Sequence, residues 1–349
     1  MSLRRMIPAG PITLALAFGA LSRADEVTLI RNTTFKQATG EKVRGTVQSE
    51  TPSEVVVKLG NSTINVPVDQ VVSIQYSGQP ASMALAESNE NSGQLAKALD
   101  LYKKAAAEAE GKPLIEQAAR FKAVEVAADL ALADPARAGD AIAQLDGFVR
   151  AHPGSRHTGR ALESLARLQL QKGDFAQVER TIASLSKVPA GADRAGVLRA
   201  RVSAKKGDHA AAITELDRLI KSSPEGSARA REARLAKSES LAGLKKYGEA
   251  EADVRAVIKA TPAEDVAAQS AAYNTLGDCL RAAGRPKDAL LAFLHTDLVF
   301  SKDKEQHPRA LAQIAQIWRE LKRDDRADET IQRLKQDYPQ SPWLARATP

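Results

Sequence analysis

Beyond residue 80, one spacing recurs seven times, and it limits the folds open to this chain more than any other feature. A small residue is followed by an apolar residue four later and another three after that. The series runs Ala98/Tyr102/Ala105, Ala141/Leu145/Phe148, Val178/Ile182/Leu185, Ala212/Leu216/Leu219, Ala250/Val254/Val257, Ala289/Phe293/Thr296 and Ala327/Ile331/Leu334. Steps of four and three put each triplet on one face of a helix. Successive first members lie 43, 37, 34, 38, 39 and 38 residues apart, room for two helices and a turn. Pro153, Pro189, Pro224, Pro262 and Pro339 stop most of the units. A lone helical hairpin cannot hide its apolar face, so units in tandem must stack into a curved row. Only 4% of residues are aromatic against 43% hydrophobic, so the core must be built from Ala, Leu, Val and Ile, which suits close helix packing.

The residues of the sixth and seventh units carry a resemblance. In Ala272-Tyr273-Asn274-Thr275-Leu276-Gly277-Asp278 an aromatic precedes a Leu-Gly pair, Gly284 marks a turn, and Ala289 and Phe293 follow. The seventh unit keeps Ala315, Trp318, Ala327 and Pro339, and Gly93, Gly173 and Gly207 occupy the turn position of units one, three and four. Residues 80–345 therefore resemble the tetratricopeptide repeat family, which builds a superhelix of helix–turn–helix units. Most units here exceed the family's 34 residues, and the Leu-Gly pair is largely replaced. The resemblance implies a mainly α chain, an α-solenoid of about seven hairpins, with protein partners held in the concave groove by the first helices. Ala151-His152-Pro153-Gly154-Ser155 and Tyr338-Pro339-Gln340-Ser341-Pro342-Trp343 are similar to unit ends in bacterial envelope members of the family, which act as adaptors. The family's chaperone-tail clamp needs Lys and Asn in consecutive repeats, and Asn274 stands alone. The second unit turns at Asp134-Pro135, and the charged helix Ala327–Gln336 is expected to cap the array.

Residues 25–79 have period two. Glu26–Arg31, Val43–Val47, Val55–Leu59, Ile64–Val66 and Val71–Tyr76 alternate between breakers at Thr39-Gly40, Thr51-Pro52, Gly60-Asn61 and Val68-Asp69. Five short strands bury one face by curling, which predicts a small β-barrel resembling the SH3-like and Sm-like domains. Sm-like barrels bind RNA, but Lys/Arg clusters with interleaved aromatics are missing here.

Residues 1–24 read as a signal peptide. Arg4 and Arg5 precede the apolar run 12–21, and Ser22-Arg23-Ala24 offers small residues at a cleavage site before Asp25. The run is about half the ~20 residues a membrane helix needs. Export to the periplasm or cell envelope is the expectation. Losing Arg4, Arg5 and Arg23 lowers the formal charge from +7 to +4, a weak attraction for anions and no nucleic-acid footprint. Cys279 is the only cysteine, so packing alone must hold the fold.

Chemistry is sparse. No phosphate-binding glycine loop, nucleophile elbow or zinc-protease helix motif is present. His152 and His157 read as solvent-exposed loop residues, His209, His295 and His307 as isolated, and Cys279 as a buried small hydrophobe. No catalytic, cofactor-binding or metal site is expected. One arrangement stands out. Arg160 and Arg167 in the third unit recur as Arg194 and Arg201 in the fourth, 34 residues on. On adjacent first helices they would form a basic stripe suited to an acidic segment of a partner. A solvated helix face in an Arg-rich chain would give the same pattern. The reading is a non-enzymatic binding scaffold. The alternatives are a nucleic-acid adaptor using the β domain, or an enzyme or enzyme accessory in cell-wall chemistry.

Overall fold

A computed structural model describes residues 24–30, 33, 35–189 and 191–347. The expected signal peptide falls on residues 1–23, outside them, and on Ala24. Five strands, β1 Asp25–Leu29, β2 Lys42–Glu50, β3 Glu54–Leu59, β4 Ser62–Pro67 and β5 Val71–Gln75, form one antiparallel sheet in the order β4-β3-β2-β1-β5. The first half of β2 pairs with β1 and the second half with β3, with an irregular register between Val47 and Ser49. Gly45 lies next to this changeover, where a Cβ would sit 2.4 Å from the Lys58 carbonyl oxygen, so no larger residue fits. A 3-10 turn at Val68–Gln70 carries the chain from β4 to β5. Among the described residues no ladder joins β4 to β5, so the barrel expectation is met only as far as a bent five-stranded sheet.

Fourteen helices follow as seven hairpins. The first helices are α1 Ala81–Asn91, α3 Pro113–Ala133, α5 Thr158–Lys172, α7 Gly191–Lys205, α9 Ala228–Gly243, α11 Val266–Ala282 and α13 Gln306–Glu320. The second helices are α2 Leu95–Glu108, α4 Ala138–Ala151, α6 Phe175–Leu185, α8 His209–Ser222, α10 Tyr247–Ala260, α12 Pro286–Val299 and α14 Asp324–Asp337. All twenty-one residues of the repeating triplets are buried, and each triplet lies on a second helix. In the third and fourth hairpins a Gly-Asp pair makes the turn. Gly173 and Gly207 take the left-handed conformation that ends the first helix, and the carboxylates of Asp174 and Asp208 accept the N–H of Gln177 and Ala211 to cap the second. Hairpins five and seven place Lys245 and Lys322 at the same left-handed position, which glycine would occupy without strain.

The β domain and the first hairpin share one core. Val27, Val55, Val57 and Tyr76 pack in the same cluster as Met83, Ala98, Tyr102 and Val126. Arg156, in the loop before α5, pairs with buried Glu50, which also accepts the Tyr76 hydroxyl. At the other end the charged helix α14 buries only Ala327, Thr330, Ile331 and Leu334 and keeps its Asp, Glu, Arg and Lys face in water, as a capping helix does. Tyr338, Trp343 and the short α15 Leu344–Ala347 add a further small layer against Leu311, Ala315, Ile331 and Leu334.

The two ends of the array meet. Gln340 accepts the Ala96 N–H at 2.8 Å, and the Lys304 ammonium donates to the Asn91 carbonyl. A Cβ on Gly93 would lie 3.7 Å from the Asp337 carbonyl. The seven hairpins thus complete one superhelical turn.

Candidate partner-binding channel

Each first helix from α3 onward packs on the next first helix as well as on its own partner, whereas no second helix packs comparably on its successor. First helices therefore line the inside of the turn and second helices the outside. Ion pairs cross the inner joints in register. Glu90 meets Lys122 at 2.9 Å, Glu125 meets Arg160 at 2.6 Å, Glu163 meets Arg194 at 3.9 Å and Arg201 meets Glu232 at 3.2 Å, with Asp278 and Arg309 closing the series. Partners lie 31 to 35 residues apart, one repeat.

The channel is narrow enough for charges to meet across it. Arg309 on α13 approaches Glu239 on α9 at 3.9 Å, skipping a hairpin. Burial lowers the Arg167 guanidinium, but Glu163 foremost, then Glu305, Glu232 and Asp129, holds it above its ordinary value. Those four carboxylates come from α5, the segment before α13, α9 and α3. Asp129 is open to water yet ringed by protein. Desolvation, then the neighbouring Glu125 and Glu90, pushes its carboxyl up to about 7 against the pull of Lys122 and Arg167. Desolvation likewise raises Glu239, with Arg309 and Arg201 opposing.

Arg160, Arg167, Arg194 and Arg201 occupy α5 and α7, and their side chains keep 52%, 45%, 47% and 37% of their exposure. They are not bare cations. Each guanidinium lies beside a carboxylate, Arg167 with Glu163 at 3.0 Å, and Arg160 also stacks over Phe121. The stripe is one half of a mixed-charge ladder, so an acidic ligand has to compete with the chain's own carboxylates. The acidic half was legible as opposite charges one repeat apart on first helices, a pairing that inspection of arginines alone misses.

The histidines differ from expectation. His157 is buried and stacks on Phe121 at 4.1 Å, and desolvation holds its imidazole well below the ordinary value. His152 is half-buried against Phe148. The loop from Pro153 folds inward because Ser155 bonds Gln117 at 2.8 Å, which turns the ring of His157 into the core. His307 is not isolated either: its ring bonds Asp297 and the Tyr338 hydroxyl, both at 2.8 Å, and Arg333 completes the group. His209 fills the space left by Gly243, and His295 stacks on Tyr273. Cys279 is buried as expected, and burial pushes its thiol up to about 12. Among the described residues no group of three His, Cys, Asp or Glu is placed to hold a metal ion, and no helix is long and apolar enough to cross a membrane. On the outer face a groove of about 480 Å³ lies between α2 and α4, floored by Ala106, Ala123 and Phe148, where the repeat interval is longest.

Residues 197–265 and 309–341 match the tetratricopeptide repeat family. The fold is a tetratricopeptide-repeat solenoid. Solved structures similar to the chain include a tetratricopeptide repeat protein from Parabacteroides merdae, at 14% identity and TM-score 0.45, covering 77% of this chain and 98% of that one. Others are PilW, a type IV pilus biogenesis factor, at 16% identity and TM-score 0.40 over 60% of this chain and 90% of that one, and the quorum sensor NprR from B. thuringiensis in its apo form, at 13% identity and TM-score 0.49 over 72% and 74%. At these scores the overlaps add nothing to what the two repeat segments show. No curated protein matches the chain.

Proposed function

We propose that this chain is an exported, non-enzymatic scaffold that holds an acidic segment of an envelope protein in its solenoid channel. The observation that carries this reading is the pair of adjacent first helices, α5 and α7, presenting Arg160, Arg167, Arg194 and Arg201 in one register with half-exposed guanidiniums. Arg forms two parallel hydrogen bonds to a carboxylate, so an incoming Asp or Glu can replace the weak contact at Glu163–Arg194 without leaving a cation unpaired. The β domain serves as a rigid adaptor. Its five short antiparallel strands in one sheet support the SH3-like reading. The export reading rests on Arg4 and Arg5 ahead of the apolar run 12–21 and on the small residues Ser22 and Ala24 before Asp25.

The test is fluorescence anisotropy with a labelled Asp/Glu-rich peptide at low salt. Binding should weaken as salt rises, and the quadruple Arg→Ala variant should lose about tenfold or more in affinity, roughly 1.4 kcal/mol. Equal binding by the variant removes the stripe. Intact-mass measurement of the protein from the envelope fraction should give Asp25 as the mature first residue, and a chain that keeps Met1 defeats the export reading.

A further inference from the structure

We propose that the solenoid is a gated clamp: the contact between hairpin one and hairpins six and seven is a latch that closes the channel and parts to admit a ligand. This rests on the channel being the binding site, but the latch is tested without any partner.

The latch joins opposite edges of the array. Asn91, Gly93 and Ala96 lie at the turn between α1 and α2, the edge where first helices end. Lys304 and Glu305 lie in the loop before α13, and Asp337 ends α14 with Tyr338–Gln340 following it, so both belong to the edge where hairpins succeed one another. Contact between them means that the turn edge of hairpin one rests on the loop edge of hairpins six and seven, as in a lock washer. Arg167 repeats the relation, since it sits near the turn end of α5 and feels Glu305 from the loop edge of hairpin seven. The overlap walls the channel from the side. Inside that wall Arg309 on α13 lies 3.9 Å from Glu239 on α9, two hairpins away, so facing charges come within reach of one another.

The joints within the array and the latch differ in kind. Between successive hairpins the contact is buried apolar side chains: Phe121, Leu145 and Leu165 at one joint, Ile182, Leu185 and Leu198 at the next, Leu216, Leu219 and Ala233 at a third. No apolar cluster among the described residues joins hairpin one to hairpin seven. What holds there is the Gln340–Ala96 bond at 2.8 Å, the Lys304–Asn91 contact, and the van der Waals approach at Gly93. Polar contacts at a surface exchange for water at little cost, so this joint parts before any other. Opening needs no unfolding, because small rotations at six hairpin joints add along a solenoid.

The experiment uses the full chain with Cys279→Ser and one reporter thiol, Asp129→Cys in the channel or Lys103→Cys on the outer helix α2. Each is reacted with N-ethylmaleimide and with a polyethylene glycol maleimide of about 5 kDa. The ratio of large-reagent to small-reagent rate should be at least about tenfold lower at position 129 than at 103. Adding Lys304→Ala and Gln340→Ala should raise it severalfold at 129 and leave 103 and the melting temperature unchanged. Equal ratios at the two positions while Lys304 and Gln340 are both in place overturn the enclosure. A low ratio at 129 that the latch substitutions do not move overturns the latch. Small-angle scattering supplies a second reading, in which the latch variant should show a larger maximum dimension than the parent.

Discussion

The N-terminal block and the rest of the solenoid are stabilised in different ways. From β1 to α3 one continuous core links the sheet, the first hairpin and the start of the second, and the Glu50–Tyr76–Arg156 group ties β2 and the end of β5 to the loop before α5. Beyond α3 the core divides into smaller clusters, most of them shared by two neighbouring hairpins and the largest running from hairpin five to hairpin seven. A shared core makes its parts unfold together, whereas a row of nearest-neighbour joints can lose one unit at a time. The first is an anchor and the second a spring.

The largest expected effect would break this contrast if it failed. Glu50→Ala leaves Arg156, whose side chain is 11% exposed, without its partner in a buried setting. Removing one half of a buried pair costs about 3–5 kcal/mol. Hydrogen exchange should show the sheet and hairpins one and two losing protection together while α11 to α14 keep theirs. Loss of the sheet alone, with Tyr102 and Val126 still protected, would make the block modular after all.

A local injury in the array should stay local. A Cβ on Gly277 would sit 2.6 Å from the ring of Phe293, which is fully buried. Gly277→Ala is expected to cost about 1–3 kcal/mol through overpacking. Its exchange signature should be confined to hairpins five to seven, and Phe293→Leu added to it should restore part of the loss. If the sheet lost protection equally, the array would be a single cooperative unit.

Acid should loosen the far end first. Desolvation raises the Asp297 carboxyl, but the hydrogen bonds from His307 and Arg333, with their charges, outweigh it and bring it down to about 2 from 3.8. A carboxylate with a depressed folded value adds stability above its unfolded value and loses it as pH falls through the folded one. The contribution is therefore full above about pH 4 and disappears towards pH 2, on the order of 2 kcal/mol in all. Urea unfolding of α13 and α14 should show this acid limb, and Asp297→Asn should flatten it.

The sequence made the array legible and the latch illegible for one physical reason. Burial on the second helices recurs with the repeat, so Ala98 through Leu334 could be marked by spacing alone. Contacts between Asn91 and Lys304, or Ala96 and Gln340, depend on how small rotations accumulate over seven hairpins, and no local pattern records that sum. The same holds for His157 and His307, where isolation in sequence concealed Phe121, Asp297 and Tyr338 in space. In the channel the register of Arg160, Arg167, Arg194 and Arg201 could be read from the repeat. Opposite charges about one repeat away could be read as candidate partners in the same way, and the angle between neighbouring first helices selects Glu125, Glu163 and Glu232 from among them.

The smallest effect concerns the turns that let the array bend. Gly173 and Gly207 enter the left-handed region freely, with φ of 79° and 87°, whereas Lys245 and Lys322 are held there at 62° and 59°. A side chain in that region costs about 1–2 kcal/mol, and glycine returns about 0.5–1 kcal/mol of this as lost chain entropy. Lys245→Gly and Lys322→Gly should therefore each stabilise by no more than about 1 kcal/mol. Gly173→Ala, with open space around its Cβ, should destabilise by a similar amount from backbone strain alone. Melting temperatures of the three variants decide the matter: if both lysine substitutions lowered stability, those turns would be held by contacts of the lysine side chains, and hairpins five and seven would close by a different device from three and four.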